Sequence, residues 1–282
     1  MQNYYGIPDE NASLENSEIA ILSIPYDGTS TWIKGSDKGP EAINEASCAV
    51  ELYDIETDSE VYLKGIYTAP PVLESSSPDA MVIAVYNEAK TYLDLNKFLV
   101  SLGGEHSVSI GLFKAFSEKY NNLTILQFDA HSDMRQEYEG SKYNHACALA
   151  RGSEFCNVVH VGIRSMDVSE KKYIKKENVF FAEQIHKKEV NIKDIISRLT
   201  ENVYITIDLD VFDPAYLPAT GTPEPGGLSW YEVLFAIQEV NKAKNIVGFD
   251  VVELCPMETE KASNFFAAKL VYKILSNKFS KK

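Results

Sequence analysis

Apolar residues along this chain fall into two alternating rhythms. Continuous runs rich in Ile, Val, Leu, Phe and Tyr occupy residues 18–25, 61–67, 97–102, 123–129, 157–163, 178–181, 203–208 and 246–252. Between many of them lie helical patterns at residues 39–51, 80–96, 107–119, 168–176, 191–199, 228–241 and 258–278. A strand with no polar face is covered on both sides. Strands alternating with helices argue for parallel pairing, because each parallel step needs a crossover that packs on the sheet. The pattern predicts an α/β fold, a three-layer α/β/α sandwich with a mostly parallel sheet of about eight strands, built as one domain over residues 1–282. No internal repeat or low-complexity tract interrupts it. Residues 68–80, polar and marked by prolines, read as a surface connection, and the Lys278–Lys282 end is expected to fray.

Ligands of such sheets bind beyond the carboxyl ends of the strands. Three clusters of metal-binding side chains sit there: His106 in Gly-Gly-Glu-His, Asp129 with His131 and Asp133, and Asp208 with Asp210. Residues two apart in an extended segment point the same way, roughly 6–7 Å apart, so each cluster can present its members on one side. A single Asp-x-Asp at a strand end is usually a turn or cap, and a single His is usually a satisfied interior side chain. Three clusters at three strand ends reverse that reading. So many buried carboxylates require cations. Two divalent ions sharing carboxylates, about 3.5–4 Å apart as in two-metal hydrolases, would satisfy every member. The donors are O and N without S, a mixture that favours Mn²⁺ over Zn²⁺ or Mg²⁺.

Composition narrows the partners. The 282 residues are 45% hydrophobic, enough to bury about 75% of the unfolded surface in a compact unit. A net charge of −14 argues against nucleic acid or anionic membrane as a partner and suits a small cationic substrate. No basic flank and apolar core open the chain and no run is long enough to span a bilayer, so a cytoplasmic location is the expectation. Cys48, Cys147, Cys156 and Cys255 are scattered and read as small buried hydrophobes, with Cys147 falling near the site.

The clusters are embedded in longer motifs: Ile24-Pro-Tyr-Asp-Gly-Thr29, Lys38-Gly-Pro-Glu-Ala-Ile43, Leu102-Gly-Gly-Glu-His-Ser107, Asp129-Ala-His-Ser-Asp133, Thr206-Ile-Asp-Leu-Asp-Val-Phe-Asp-Pro214, Gly221-Thr-Pro-Glu-Pro-Gly-Gly-Leu228 and Asp250-Val-Val-Glu-Leu-Cys-Pro256. With these, nearly the whole chain resembles the ureohydrolases, the arginase and agmatinase family, and most closely its agmatinases. The resemblance implies an arginase-like fold and two Mn²⁺ per subunit. His106, Asp129, Asp133 and Asp208 would hold one ion, and His131, Asp129, Asp208 and Asp210 the other. It implies a hydroxide between them that attacks a guanidinium carbon, oriented by Asp133, with release of urea and an amine.

By the same resemblance Glu253 pairs with the substrate guanidinium, Thr222 supports that clamp, and His145 protonates the leaving amine or relays protons. A bidentate carboxylate suits a planar guanidinium, and imidazole titrates in the right range. Read alone, Glu253 would be a cap or surface carboxylate and His145 a loop residue. His160 and His186 read as structural or solvated, with His160 a candidate for the outer shell. The segment after Asp133, Met-Arg-Gln-Glu-Tyr-Glu-Gly-Ser-Lys-Tyr-Asn-His145, looks like agmatinases and lacks the polar Asn, Ser and Thr run with which arginases grip an amino acid. Agmatine is therefore the expected substrate, with Glu137, Glu139 or Glu224 as candidates for reading its amine. Guanidinobutyrate, arginine and a formimino compound stay open, as does a non-catalytic metal-binding relative. A homo-oligomer, trimer or hexamer, is implied by resemblance only.

Overall fold

A computed structural model describes residues 3–280. All eight apolar runs contain strands: β1 Ile19–Ile24, β2 Ile66–Thr68, β3 Phe98–Gly103, β4 Leu123–Phe128, β5 Asn157–Ile163, β6 Val179–Phe181, β7 Asn202–Asp208 and β8 Asn245–Val252. They form one sheet in the order β2-β1-β3-β8-β7-β4-β5-β6, and every pairing is parallel. The helices are α1 Gly39–Ser47, α2 Pro78–Asp94, α3 Ser109–Lys119, α4 Ala148–Gly152, α5 Ala182–His186, α6 Ile192–Ile196, α7 Trp230–Ala243 and α8 Ala262–Phe279.

Two cores lie on the two faces of the sheet, which gives the three layers. Ile19, Ile21, Val100, Leu102 and Phe249 pack with residues of α1, α7 and α8, whereas their strand neighbours Ala20, Leu22 and Leu99 join residues of α2 and α3. Each fully buried aliphatic side chain contributes about 1.5–3 kcal/mol. None of the described helices is long and apolar enough to cross a membrane.

Some expectations shift. The 61–67 run is mostly not strand: Val61–Lys64 is a 3-10 helix ended by Gly65 at φ +74°, where a Cβ would meet Ser17 Cα at 2.6 Å. The 168–176 helix shrinks to a 3-10 turn, Val168–Lys172, because it buries only Glu170 and so offers no apolar face for a longer helix to pack with. Helices α4 and α5, five residues each, are too short to leave a periodic signal. Lys281 and Lys282, part of the end expected to fray, lie outside the described residues.

Candidate metal centre and active site

The sheet order sets four strands side by side at its centre, β3-β8-β7-β4. Their carboxyl ends carry His106, Glu253, Asp208 and Asp129, in that order across the sheet. Neighbouring strands are about 4.8 Å apart, so the residues that follow them crowd into one small volume. The β3 exit turns sharply. A Cβ on Gly104 would fall 1.9 Å from the Tyr26 carbonyl oxygen, so only glycine lets the Glu105 N–H donate to that oxygen at 2.9 Å.

The two Asp clusters converge differently from the extended geometry the spacing predicts. Strand β4 stops at Phe128, Asp133 adopts φ +51°, and Asp210 lies in a 3-10 turn, Leu209–Val211. Side chain to main chain bonds fold these turns back. Asp129 Oδ1 accepts the His131 N–H at 2.6 Å, Asp208 Oδ1 accepts the Asp210 N–H at 3.0 Å, and Asp210 Oδ1 accepts the Ala130 N–H at 3.0 Å. The carboxylates thus satisfy the backbone groups that the strand ends leave unpaired.

Five side chains meet as two ligand groups. His106, Asp129 and Asp208 form one, and Asp129, His131 and Asp210 the other, with the donor atoms of each group within 4.8 Å of one another. Asp129 belongs to both, one oxygen 3.2 Å from His106 Nδ1 and the other 3.7 Å from His131 Nδ1. Asp133 Oδ2 is 3.1 Å and Asp208 Oδ2 3.4 Å from His106 Nδ1. None of these three oxygens is placed to hydrogen-bond the buried Nδ1. They surround it as ligands surround an ion.

The tautomer supports that arrangement. Thr206 donates its hydroxyl proton to Asp250 Oδ1 at 2.6 Å and so can only accept from His106 Nε2, 2.9 Å away. In the neutral ring, the form that binds a cation, the proton therefore sits on Nε2, and Nδ1 offers a lone pair. On the other imidazole, Nε2 lies 3.8 Å from Glu224 Oε1 and Nδ1 2.9 Å from Asp210 Oδ2. Carboxylates behind imidazoles fix ligating histidines in this way.

A polar row lies beneath the ligands. Ser101, Asp250, Thr206, Gln127 and His160 are in register across five adjacent strands. Gln127 donates to Asp129 Oδ2 at 2.6 Å and accepts from His160 Nδ1 at 2.5 Å. Burial pulls His160 down to about 4, so it stays neutral and holds the amide in one orientation. His160 is thus an outer member of the site, whereas His186 lies partly exposed against the carbonyls of Gly226 and Gly227.

Protein charges alone balance poorly. Burial, reinforced by Asp208, Asp210 and Asp133, pushes Asp129 well above the usual carboxylate range. Burial and Asp210 lift Asp208 to about 7. His131 rises to about 11, since its carboxylates outweigh burial, and that pairing holds Asp210 down to about 2 against its own burial. Among the described residues no Lys or Arg makes an ion pair with Asp129, Asp133, Asp208 or Asp210. Two divalent cations would supply the missing positive charge, and the donors present, oxygen and imidazole nitrogen without a cysteine, fit them.

Glu253 joins the centre from β8. Its Oε1 accepts the His106 N–H at 2.8 Å, its backbone is held at φ +67°, and burial with the charges of Asp208 and Glu105 raises its carboxyl far above the ordinary value. A left-handed non-glycine residue costs about 1–3 kcal/mol and persists where surrounding structure demands it. Glu253, Asp133, Asp208, Thr222 and His145 line one cavity of about 180 Å³, room for a small molecule only. The Thr222 hydroxyl reaches Asp210 Oδ2 at 3.5 Å, a different contact from the expected support of Glu253.

The Arginase family profile matches residues 17–276. The chain belongs to the arginase family. It is 37% identical over 274 residues to the N(1)-aminopropylagmatine ureohydrolase of Synechocystis sp., covering 93% of this chain and 90% of that one. It is 34% identical to the agmatinase of Pyrococcus horikoshii, covering 93% and 92%. The crystal structure of the agmatine ureohydrolase of Thermoplasma volcanium superimposes with a TM-score of 0.86 at 29% identity, covering 99% of this chain and 94% of that one. As an arginase-family ureohydrolase, the protein is a metal-dependent amidinohydrolase.

Several contributors to this arginase-family site carry no sequence cluster. Arg164 donates to the carbonyls of Asp210 at 2.6 Å and Glu224 at 2.7 Å, stitching the β5 exit to both metal-side loops. Glu170, 3% exposed, accepts from Ser132 Oγ, from Met134 N at 2.9 Å and from Asp167 N at 2.8 Å, clamping the Asp133 turn. Glu137 and Glu139 are exposed on a loop and do not line the cavity. Asp167 does line its mouth, beside Arg135 and Tyr138.

Proposed function

We propose that this protein hydrolyses the guanidinium group of an amine-tailed guanidino compound, agmatine to putrescine and urea, with two Mn²⁺ per subunit. The single observation that supports this most strongly is the pair of ligand groups sharing Asp129, with Glu253 at their edge. Bound metal would supply Lewis acidity and an activated water. The chain does the rest. Glu253, tied to His106 N, presents a carboxylate to one edge of the planar guanidinium and sets the carbon in place. Asp133 holds the attacking water by a hydrogen bond. Water adds to that carbon, the bond to the alkyl-bearing nitrogen breaks, and His145 takes up a proton released by that water and passes it to the leaving amine. Asp167, with one carboxylate oxygen capping the Ser169 N–H at 2.9 Å and the other 3.8 Å from Arg135 Nη2, lines the cavity and would receive the amine tail. The same reading takes a cytoplasmic trimer or hexamer as its setting.

A second substrate is favoured by the comparisons. Relatives named N(1)-aminopropylagmatine ureohydrolase match at 35–37% identity, and agmatinases at 32–35%. The longer amine would extend past Asp167, which lines the cavity and whose side chain is 41% exposed. The test compares kcat/KM of the Mn²⁺-loaded protein for agmatine, N(1)-aminopropylagmatine, guanidinobutyrate and L-arginine. Amine-tailed substrates should lead. Preference for a carboxylate-bearing substrate would overturn the assignment.

A further inference from the structure

The loop after β1 reaches the site through one hydroxyl. Thr29, 8% exposed, donates to Glu105 Oε1 at 2.9 Å, accepts the His145 main-chain N–H at 2.9 Å, and lies 3.2 Å from His145 Nδ1. Glu105 is fully buried and accepts as well from Ser107 N at 2.7 Å and Ser107 Oγ at 2.8 Å. It thus accepts from three donors, Thr29 among them. A hydroxyl carries one proton, and that of Thr29 points to Glu105. The contact with His145 therefore runs the other way, Nδ1–H to Thr29 Oγ1.

We propose that Thr29 is a positioning residue that, anchored by Glu105, holds His145 in the Nδ1–H tautomer, with Nε2 left bare to take up a proton and pass it on. The inference rests on the proton-delivery role given to His145 above. Thr29 grips that residue at two points, main chain and ring, and so fixes both the origin of the side chain and its rotation. The Tyr138 ring meets the imidazole edge-on at 6.2 Å between centroids, which limits tilting. Burial lowers the His145 imidazole, so the ring is neutral and its tautomer matters. Glu105 also precedes the ligand His106, so one short turn serves both the metal centre and the proton carrier.

Two measurements test this. In the Mg²⁺-loaded, ¹⁵N-histidine-labelled protein, the ring nitrogens of His145 should report protonation at Nδ1, and Thr29→Val should shift them toward the other tautomer or a mixture. A protonated Nε2 in the wild type overturns the inference, whether or not the protein hydrolyses any guanidino compound. In kinetics, Thr29→Val should lower kcat by ~10–100-fold, less than the ~10²–10⁴-fold that a general acid–base group itself supplies, with KM and metal content held within about 3-fold. Thr29→Ser, which keeps the hydroxyl, should retain kcat within about 3-fold. In a His145→Ala background, Thr29→Val should cost less than about 2-fold, because coupled residues are not additive. An equal loss in both backgrounds would show that Thr29 acts on the fold and not through His145. A wild type that releases no urea refutes the proposed function and leaves the ring-nitrogen result to decide the role of Thr29.

Discussion

Glu253 Oε1 takes the main-chain N–H of His106 at 2.8 Å, so the carboxylate at the edge of the cavity is fixed to the residue that opens the metal centre. That bond helps hold Glu253 at φ +67°, and it leaves Oε2 free toward the Gly221 loop, where a Cβ on Gly221 would lie 3.7 Å away. Glu253→Gln keeps the shape and the His106 bond but removes the charge. Metal content should stay at the wild-type level while kcat falls by ~10²-fold, as expected when a reacting group loses its orientation. Metal analysis and urea release on one sample check this, and loss of metal would assign Glu253 to the metal shell instead.

Asp129 is shared by both ligand groups. Asp129→Asn should therefore strip both ions together, whereas Asp210→Asn, confined to one group, should leave one. Metal analysis after gel filtration distinguishes the two patterns. Full activity in Asp129→Asn would contradict a shared carboxylate.

Thr206 accepts from His106 Nε2 at 2.9 Å and donates its own hydroxyl proton to Asp250 at 2.6 Å. Thr206→Val breaks that chain and frees the His106 tautomer. Metal affinity should drop by about 10–100-fold, the usual cost of removing such a partner, with Thr206→Ser close to wild type. Competition with a chelator measures the change.

How much of this could be read from the chain depends on signal type. All eight strands and the six candidate ligand residues stood out, because continuous apolar runs and clustered Asp and His are local patterns. The supporting shell was less visible. Asp250, Gln127 and His160 each break an apolar strand with a polar residue, and that is the signal: Gln127 stands two before Asp129, as Thr206 does before Asp208. Thr29, Arg164 and Glu170 offer no such mark. Their roles depend on contacts across 76, 46 and 38 residues of chain, set by strand order alone. The extended geometry expected for 129–133 failed because the carboxylates cap their own turns.

Away from the site, Lys273 Nζ is buried 2.8 Å from both Asp54 Oδ2 and Glu56 Oε2. Burial alone would raise Asp54, but the Lys273 and Thr57 hydrogen bonds outweigh it and hold its carboxyl below the usual value. A depressed carboxylate stabilises the fold above its unfolded pKa of about 3.9 and loses that contribution as pH falls through the folded value. Asp54→Asn should lower stability at neutral pH, by less than the about 3–5 kcal/mol of a stranded buried charge, because Glu56 still faces the ammonium. Urea-unfolding midpoints should show the gap to wild type narrowing once the pH drops below about 4. A gap that stays constant would mean the pair does not carry the effect.

The most direct test of the binuclear assignment is urea release from agmatine by metal-stripped protein titrated with Mn²⁺. Activity should rise to a plateau at two ions per subunit. A plateau at one ion, or no urea at any loading, would contradict a guanidinium hydrolase built on two ions sharing Asp129.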